Sequence, residues 1–184
     1  SWKAGHIDDA EGARVREACA RAGIDPIILH TPYLVNLASP EDVIHRRSVD
    51  ALRTALLNAR VLGATYVVTH VGSHRGAGVE AGHRRVAEAI RRAAAGSLGD
   101  VVLLLENSTG AGDQLAGTHD DLAGLLTAAT AADCAVGVCL DTAHLWGAGY
   151  ELRTVGATRK TFRLFFEALG AGRVRVVHAN DSER

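Results

Sequence analysis

Residues 101–106 read VVLLLE, five consecutive apolar residues closed by a carboxylate. A run this short, rich in Val and Leu and bounded by Gly99-Asp100 and Asn107-Ser108, predicts a strand buried on both faces. The same figure recurs on either side. Ile27–Leu29 leads to His30, Thr65–Val68 to His70, Val136–Leu140 to Asp141, and Val174–Val177 to His178. The closing residues are separated by 40, 36, 35 and 37 positions, about the length of one strand-plus-helix unit.

The segments between the runs carry helical period. Glu41 to Gly63 places Val49, Leu52, Leu56, Ala59 and Leu62 on one face. Ser39 is the expected cap and Pro40 suits the first turn. Glu41 and Asp42 complement the positive helix end, and Gly63 supplies the stop. Further helices are expected at Asp8–Ala22, Val79–Ala95, Asp120–Ala132 and Ala157–Leu169. Apolar strands alternating with helices predict an α/β fold with a parallel sheet covered by helices. No Ser/Gly linker divides the chain, so residues 1–184 are read as a single domain.

Composition narrows the function. The 184 residues carry 20 basic and 21 acidic side chains, net charge −1, so no strongly basic surface advertises nucleic acid. No apolar run nears the roughly 20 residues of a membrane span, and no leader is visible. Cys19, Cys134 and Cys139 are odd in number and lack CxxC spacing, which predicts reduced thiols and a cytoplasmic location. GxGxxG, GxxxxGK[ST] and GxSxG patterns are missing, which argues against a dinucleotide site, a P-loop and a serine-hydrolase elbow.

All five strand-closing residues belong to the His/Asp/Glu class. In parallel α/β folds, function collects at the carboxyl ends of strands. Any one of them alone reads as a strand cap or a buried hydrogen bond. Five at equivalent positions predict a shared divalent-metal site, because imidazoles and carboxylates together suit zinc or a similar ion. His144, three residues after Asp141, falls at the same mouth. His74 reads as a ligand, a substrate contact or a loop residue, with the contact favoured. His6, His45, His83 and His119 are expected to be solvated, as are Arg84, Arg85, Arg91 and Arg92 on an outer helix face.

Five segments together resemble the endonuclease IV family of apurinic/apyrimidinic endonucleases. They are HTPYLVNLASP (30–40), VTHVGSH (68–74), LLLENSTGAG (103–112), GVCLDTAHLWGAGYELRT (137–154) and VVHANDS (176–182). The resemblance runs from near Trp2 to Ser182. It implies a (β/α)8 TIM barrel, present here as about five βα units most like strands three to seven. It also implies three zinc ions at the carboxyl rim, with Mn2+ a possible substitute. One ion would be held by His30, His70 and Glu106. A second would be bridged by Glu106 and held by Asp141 and His178, and a third would take His144. Glu106, as the bridge, is the expected catalytic residue. Tyr33 and Leu34 fall where the family inserts side chains into DNA, although both also read as a loop staple. His74 would join them as a DNA contact.

The implied reaction is hydrolysis of the phosphodiester 5′ to an abasic site in double-stranded DNA, by a protein monomeric at full length. Bound divalent ions supply the acidity such hydrolysis needs. An abasic nucleotide is also the one least costly to flip out of the helix. The chain departs from the family in three ways. Val71 stands where the family has proline, two strands are expected before Ser1, and the family's remaining ligands lie beyond Arg184. With no Met among its residues, the chain is expected to be an internal piece, inactive alone. Two rivals remain: a metal-dependent sugar isomerase or epimerase of the same barrel type, and a non-catalytic metal-binding fragment. Tyr33-Leu34, the 141–150 segment and His144 favour the nuclease.

Overall fold

A computed structural model of the chain describes residues 5–96, 99–130 and 135–182, so Cys134 and the expected helix end at Ala132 lie outside the described residues. Five strands form one sheet, β1 (Ile28–His30), β2 (Tyr66–His70), β3 (Val102–Glu106), β4 (Val136–Asp141) and β5 (Val174–His178). Their spatial order is their chain order and every pairing is parallel, which makes a partial TIM barrel. Each closing residue is itself the last residue of its strand. The register sets His70 opposite Glu106 and Asp141 opposite His178.

Helices α1 (Asp9–Ala22), α2 (Asp42–Leu62), α3 (Val79–Ala94), α4 (His119–Thr130), α5 (Thr142–Gly147) and α6 (Val155–Leu169) complete the alternation. Helix α1 starts on an Asp8 cap that accepts from Glu11 N–H at 2.7 Å. Helix α2 stops at Gly63 in the left-handed conformation, as expected. Its start differs from expectation, because Glu41 and not Ser39 occupies the cap position. Ser39 is fully buried and its hydroxyl accepts from Glu41 N–H two residues on, closing a turn ahead of the helix. Helix α5 has no counterpart in the apolar periodicity. It is nucleated by Asp141, whose carboxylate accepts from His144 N–H at 2.8 Å.

The sheet separates two apolar regions by strand alternation. Val67, Leu103, Leu105, Val138 and Leu140 face outward into a large core with α2, α3, α4 and α6. Val68, Leu104 and Cys139 form a small inner cluster with Tyr66, Val102 and Val176. Successive side chains point to opposite faces. The inner parity therefore carries directly to His70, Glu106, Asp141 and His178, and Leu29, packed on the outer core, leaves His30 inward. Strand β5 keeps this phase only through an irregularity. Val138 pairs with Val174 but Cys139 pairs with Val176, so Arg175 is an extra residue. Val174 thereby packs outward while Val176 and His178 face in.

Several histidines expected in solvent are packed. His45 is buried, and its Nε2–H donates to the Arg85 carbonyl at 3.0 Å. His83 lies 2.6 Å from Asp121, whose other oxygen accepts from Ala116 N–H. His119 sits against Tyr150 and Phe165 and bonds the Tyr150 hydroxyl at 3.0 Å. His6 is exposed as expected. Arg84, Arg91 and Arg92 are exposed, but Arg85 is not free: it donates to the Ser39 carbonyl and to Asp42. For His45, His83 and Arg85 the reason is common. Helices α2, α3 and α4 pack side by side, so polar residues at their seams become interhelical links.

The outer core sets the stability. Leu56→Ala removes a fully buried side chain of α2 and is expected to cost about 2–5 kcal/mol, by lost transfer energy plus a cavity. Val155→Ala, at a position 70% exposed, is expected to change stability by no more than about 0.5 kcal/mol. Urea denaturation of the two variants checks the contrast.

Candidate metal centre

Glu106 ends the middle strand and is only 2% exposed. Four imidazoles surround its carboxylate. His30 Nε2 lies 2.8 Å from Oε2 and His70 Nε2 3.6 Å from the same oxygen. His178 Nδ1 and His144 Nδ1 lie 3.1 and 3.5 Å from Oε1. Asp141, also buried, is 3.7 Å from His178 and 3.8 Å from His144. Three groups of ligand atoms come within 4.8 Å of one another: His30–His70–Glu106, Glu106–Asp141–His144, and Glu106–Cys139–His178. All six residues expected at the metal site are thus brought together. Cys139 was not anticipated. It lies one inner layer below Asp141 on β4, and strand alternation gave the only signal for it.

The surrounding hydrogen bonds set which nitrogens carry protons. His30 Nδ1 is 2.7 Å from the Thr31 carbonyl, which can only accept, so Nδ1–H donates and Nε2 is turned to Glu106. His144 Nδ1 likewise donates to the Asn107 carbonyl at 2.9 Å. The Asn107 side chain accepts from Asp141 N–H at 2.6 Å and donates to its carbonyl at 3.2 Å. Asn180 donates to the Asp141 carboxylate at 3.3 Å and is tied by its backbone N–H to the Thr142 hydroxyl at 2.8 Å. Asn107 and Asn180 escaped the sequence reading, because a polar residue after a strand end is ordinary loop composition.

Burial and proximity oppose each other here. Burial pushes Glu106 up, but the hydrogen bond from His30 and the neighbouring imidazoles outweigh it, and its carboxyl lies below the usual range. The same hydrogen bond raises His30 against burial. His70 has no comparable bond, and burial lowers it. Burial and the charge of Glu106 push the Cys139 thiol up to about 12.

Beside the cluster lies a cleft of about 440 Å3 lined by Tyr33, Leu34, His70, Arg75, Gln114 and His144, among others. Tyr33 is 83% exposed, with its ring edge-on to His70 at 6.1 Å, and Leu34 is 45% exposed. Neither is a buried loop staple. The lip is held by a close crossing of two loops. Asn36 accepts from Ser73 N–H at 3.0 Å, and a Cβ on Gly72, whose φ is +92°, would meet Asn36 Oδ1 at 2.2 Å. His74 does not line the cleft. Its Nδ1 accepts from Gly78 N–H and its Nε2 is 4.0 Å from Asp113, so it braces the loop after β2. Val71, where the resemblance expects proline, is buried in the outer core, and its carbonyl accepts from Ala38 N–H.

A parallel half-barrel with clustered imidazoles and carboxylates at its carboxyl rim defines a class. Residues 3–184 match the family described as xylose isomerase-like TIM barrel, and the chain belongs to it. Within that family its likeness is to endonuclease IV. It is 42% identical over 182 residues to "Probable endonuclease 4" of Methanoculleus marisnigri, covering 98% of this chain and 64% of that protein. It is 33% identical to endonuclease IV of Thermus thermophilus, whose crystal structure superposes with a TM-score of 0.82 over 98% of this chain and 62% of that one. A D-tagatose 3-epimerase-like protein superposes with a TM-score of 0.71 over 95% of this chain and 62% of that one. At 20% identity that likeness is one of fold. The chain spans about 64% of the length of the curated relatives it matches.

The Glu106–His30 pair has a sign that can be measured without metal. A raised His30 contributes stability fully present below its unfolded value of 6.5 and lost as pH rises through its folded value. Glu106→Gln leaves burial unopposed by the carboxylate. The His30 pKa is then expected to fall, read by histidine NMR titration of the metal-free protein.

Proposed function

We propose that the whole protein is a zinc-dependent apurinic/apyrimidinic endonuclease acting in base excision repair, which hydrolyses the phosphodiester 5′ to an abasic site in double-stranded DNA. The convergence of His30, His70, His144, His178 and Asp141 on the single buried carboxylate of Glu106 carries this reading. The donor set fits the ion. Imidazoles and carboxylates suit zinc, and the Nδ1–H bonds of His30 and His144 leave each Nε2 as a lone-pair donor. His30, His70 and Glu106 would hold one ion, Glu106, Asp141 and His178 a second, and His144 would contribute to a third.

Zinc there supplies Lewis acidity towards a phosphoryl oxygen and acidifies water. The chain's own residues do the rest. Glu106, held as a carboxylate, would balance the charge of the bound ions. Tyr33 and Leu34, exposed at the lip of the cleft, present apolar surface to the gap where a base is missing, which costs little because an abasic nucleotide has nothing to unstack. Arg75, at the same lip, is paired with Glu41 at 2.6 Å and would have to part from it to meet a phosphate. His74 supports the loop and acts on DNA only through it. Residues 1–184 form one part of a longer barrel domain, and the protein works as a cytoplasmic monomer. Among the described residues no helix is long and apolar enough to cross a membrane.

The whole protein is expected to nick duplex DNA 5′ to a single abasic analogue, to lose this with a chelator and to regain it with zinc. Glu106→Gln is expected to cost more than the roughly 10–100-fold seen when partners outside the ligand shell are removed. A protein that epimerises a sugar and leaves the duplex intact would show the rival reading to be correct. Zinc affinity is also expected to weaken as pH falls below the raised His30 value, since the ion must displace that proton. Calorimetry in buffers of differing ionisation enthalpy reads the protons released.

A further inference from the structure

Asn107 is 1% exposed and uses its polar groups on residues of the metal cluster. Its carboxamide takes both backbone groups of Asp141, accepting from N–H at 2.6 Å and donating to C=O at 3.2 Å. An amide side chain carries its acceptor and its donor on separate atoms, as this two-point clamp uses them. Aspartate lacks the donor and leucine has neither group. The clamp adds one rung to the β3–β4 ladder beyond the Glu106–Cys139 pairing. The Asn107 carbonyl then accepts from His144 Nδ1 at 2.9 Å, which assigns the proton to Nδ1 and leaves Nε2 free to bind. Its chain neighbour is Glu106. One buried residue therefore touches the placement of three cluster members on two strands and a helix.

We infer that Asn107 is a positioning residue, holding the Asp141 carboxylate beside Glu106 through its backbone and fixing the His144 ring with its proton on Nδ1 and Nε2 left to bind. This rests on the metal reading proposed above. Loss of the carboxamide frees the strand end that carries Asp141 and, through residue 107, the carbonyl that orients His144.

The test compares Asn107→Ala with Asn58→Ala in the full chain. Asn58 makes the same two-way backbone clamp away from the rim, accepting from Ile7 N–H and donating to the Gly5 carbonyl. Both variants are expected to melt earlier than wild type. Asn107→Ala alone is expected to lower cobalt(II) affinity about 10–100-fold, to alter the cobalt d–d absorption and to turn His144 from the Nδ1–H form into a mixture by 15N-histidine NMR. Unchanged cobalt binding and tautomer in Asn107→Ala, or an equal loss in Asn58→Ala, would overturn the inference. A wild-type chain that binds no cobalt would sink the metal reading instead, and the tautomer measurement on metal-free protein would still decide the role of Asn107.

Discussion

A carboxylate sealed from water at the end of a strand costs several kcal/mol unless its charge is answered. Glu106 is in that position, and its answer comes from imidazoles delivered by β1, β2, α5 and β5. This constraint organises the rim. Parallel pairing must bring the strands to a common end, which the register does for His70 with Glu106 and Asp141 with His178. Alternation must put every closing residue on the inner face, which the outer packing of Leu29, Leu105 and Leu140 secures. The 2.8 Å contact from His30 Nε2 answers part of that charge and raises the His30 pKa in turn.

The helices contribute indirectly. The core between sheet and helices is continuous from Val35 to Leu169 and contains the large buried side chains Leu52, Leu56, Ile90 and Phe165. It holds the strands in one register, and a rigid register is what allows short loops to place Tyr33, Leu34 and Asn36 beside the cluster. The polar seams between α2, α3 and α4, with His45, His83 and Arg85 as links, extend that rigidity to the loop after β3. There Asp121 bonds both His83 and Ala116 N–H.

Strand and helix identity were legible in the sequence because short continuous apolar runs and period 3.6 separate cleanly in this chain, and because each strand closes on a residue of one chemical class. The six cluster residues followed from that rule and from the resemblance. What was illegible depended on contacts between distant segments. Helix α5 is six residues long and begins on Asp141, which serves both as strand end and as cap, so no periodicity marks it. His45 looked like a solvent-facing helical polar residue until the neighbouring helix supplied the Arg85 carbonyl. Asn107 looked like loop composition until β4 supplied Asp141. His74 sits four residues after a cluster histidine, but Gly78 and Asp113 take its two nitrogens into the loop.

The extra residue in β5 has a consequence of its own. A strand with uniform alternation binds its two ends to one phase, so any drift at the base is transmitted to the tip. Arg175 resets that phase midway, with Val174 committed to the helices and His178 to Glu106. The strand behaves as two half-strands joined by a phase shifter. Packing at its base can be revised without rotating the end that carries His178, which decouples change in the scaffold from change in the cluster at this edge of the sheet.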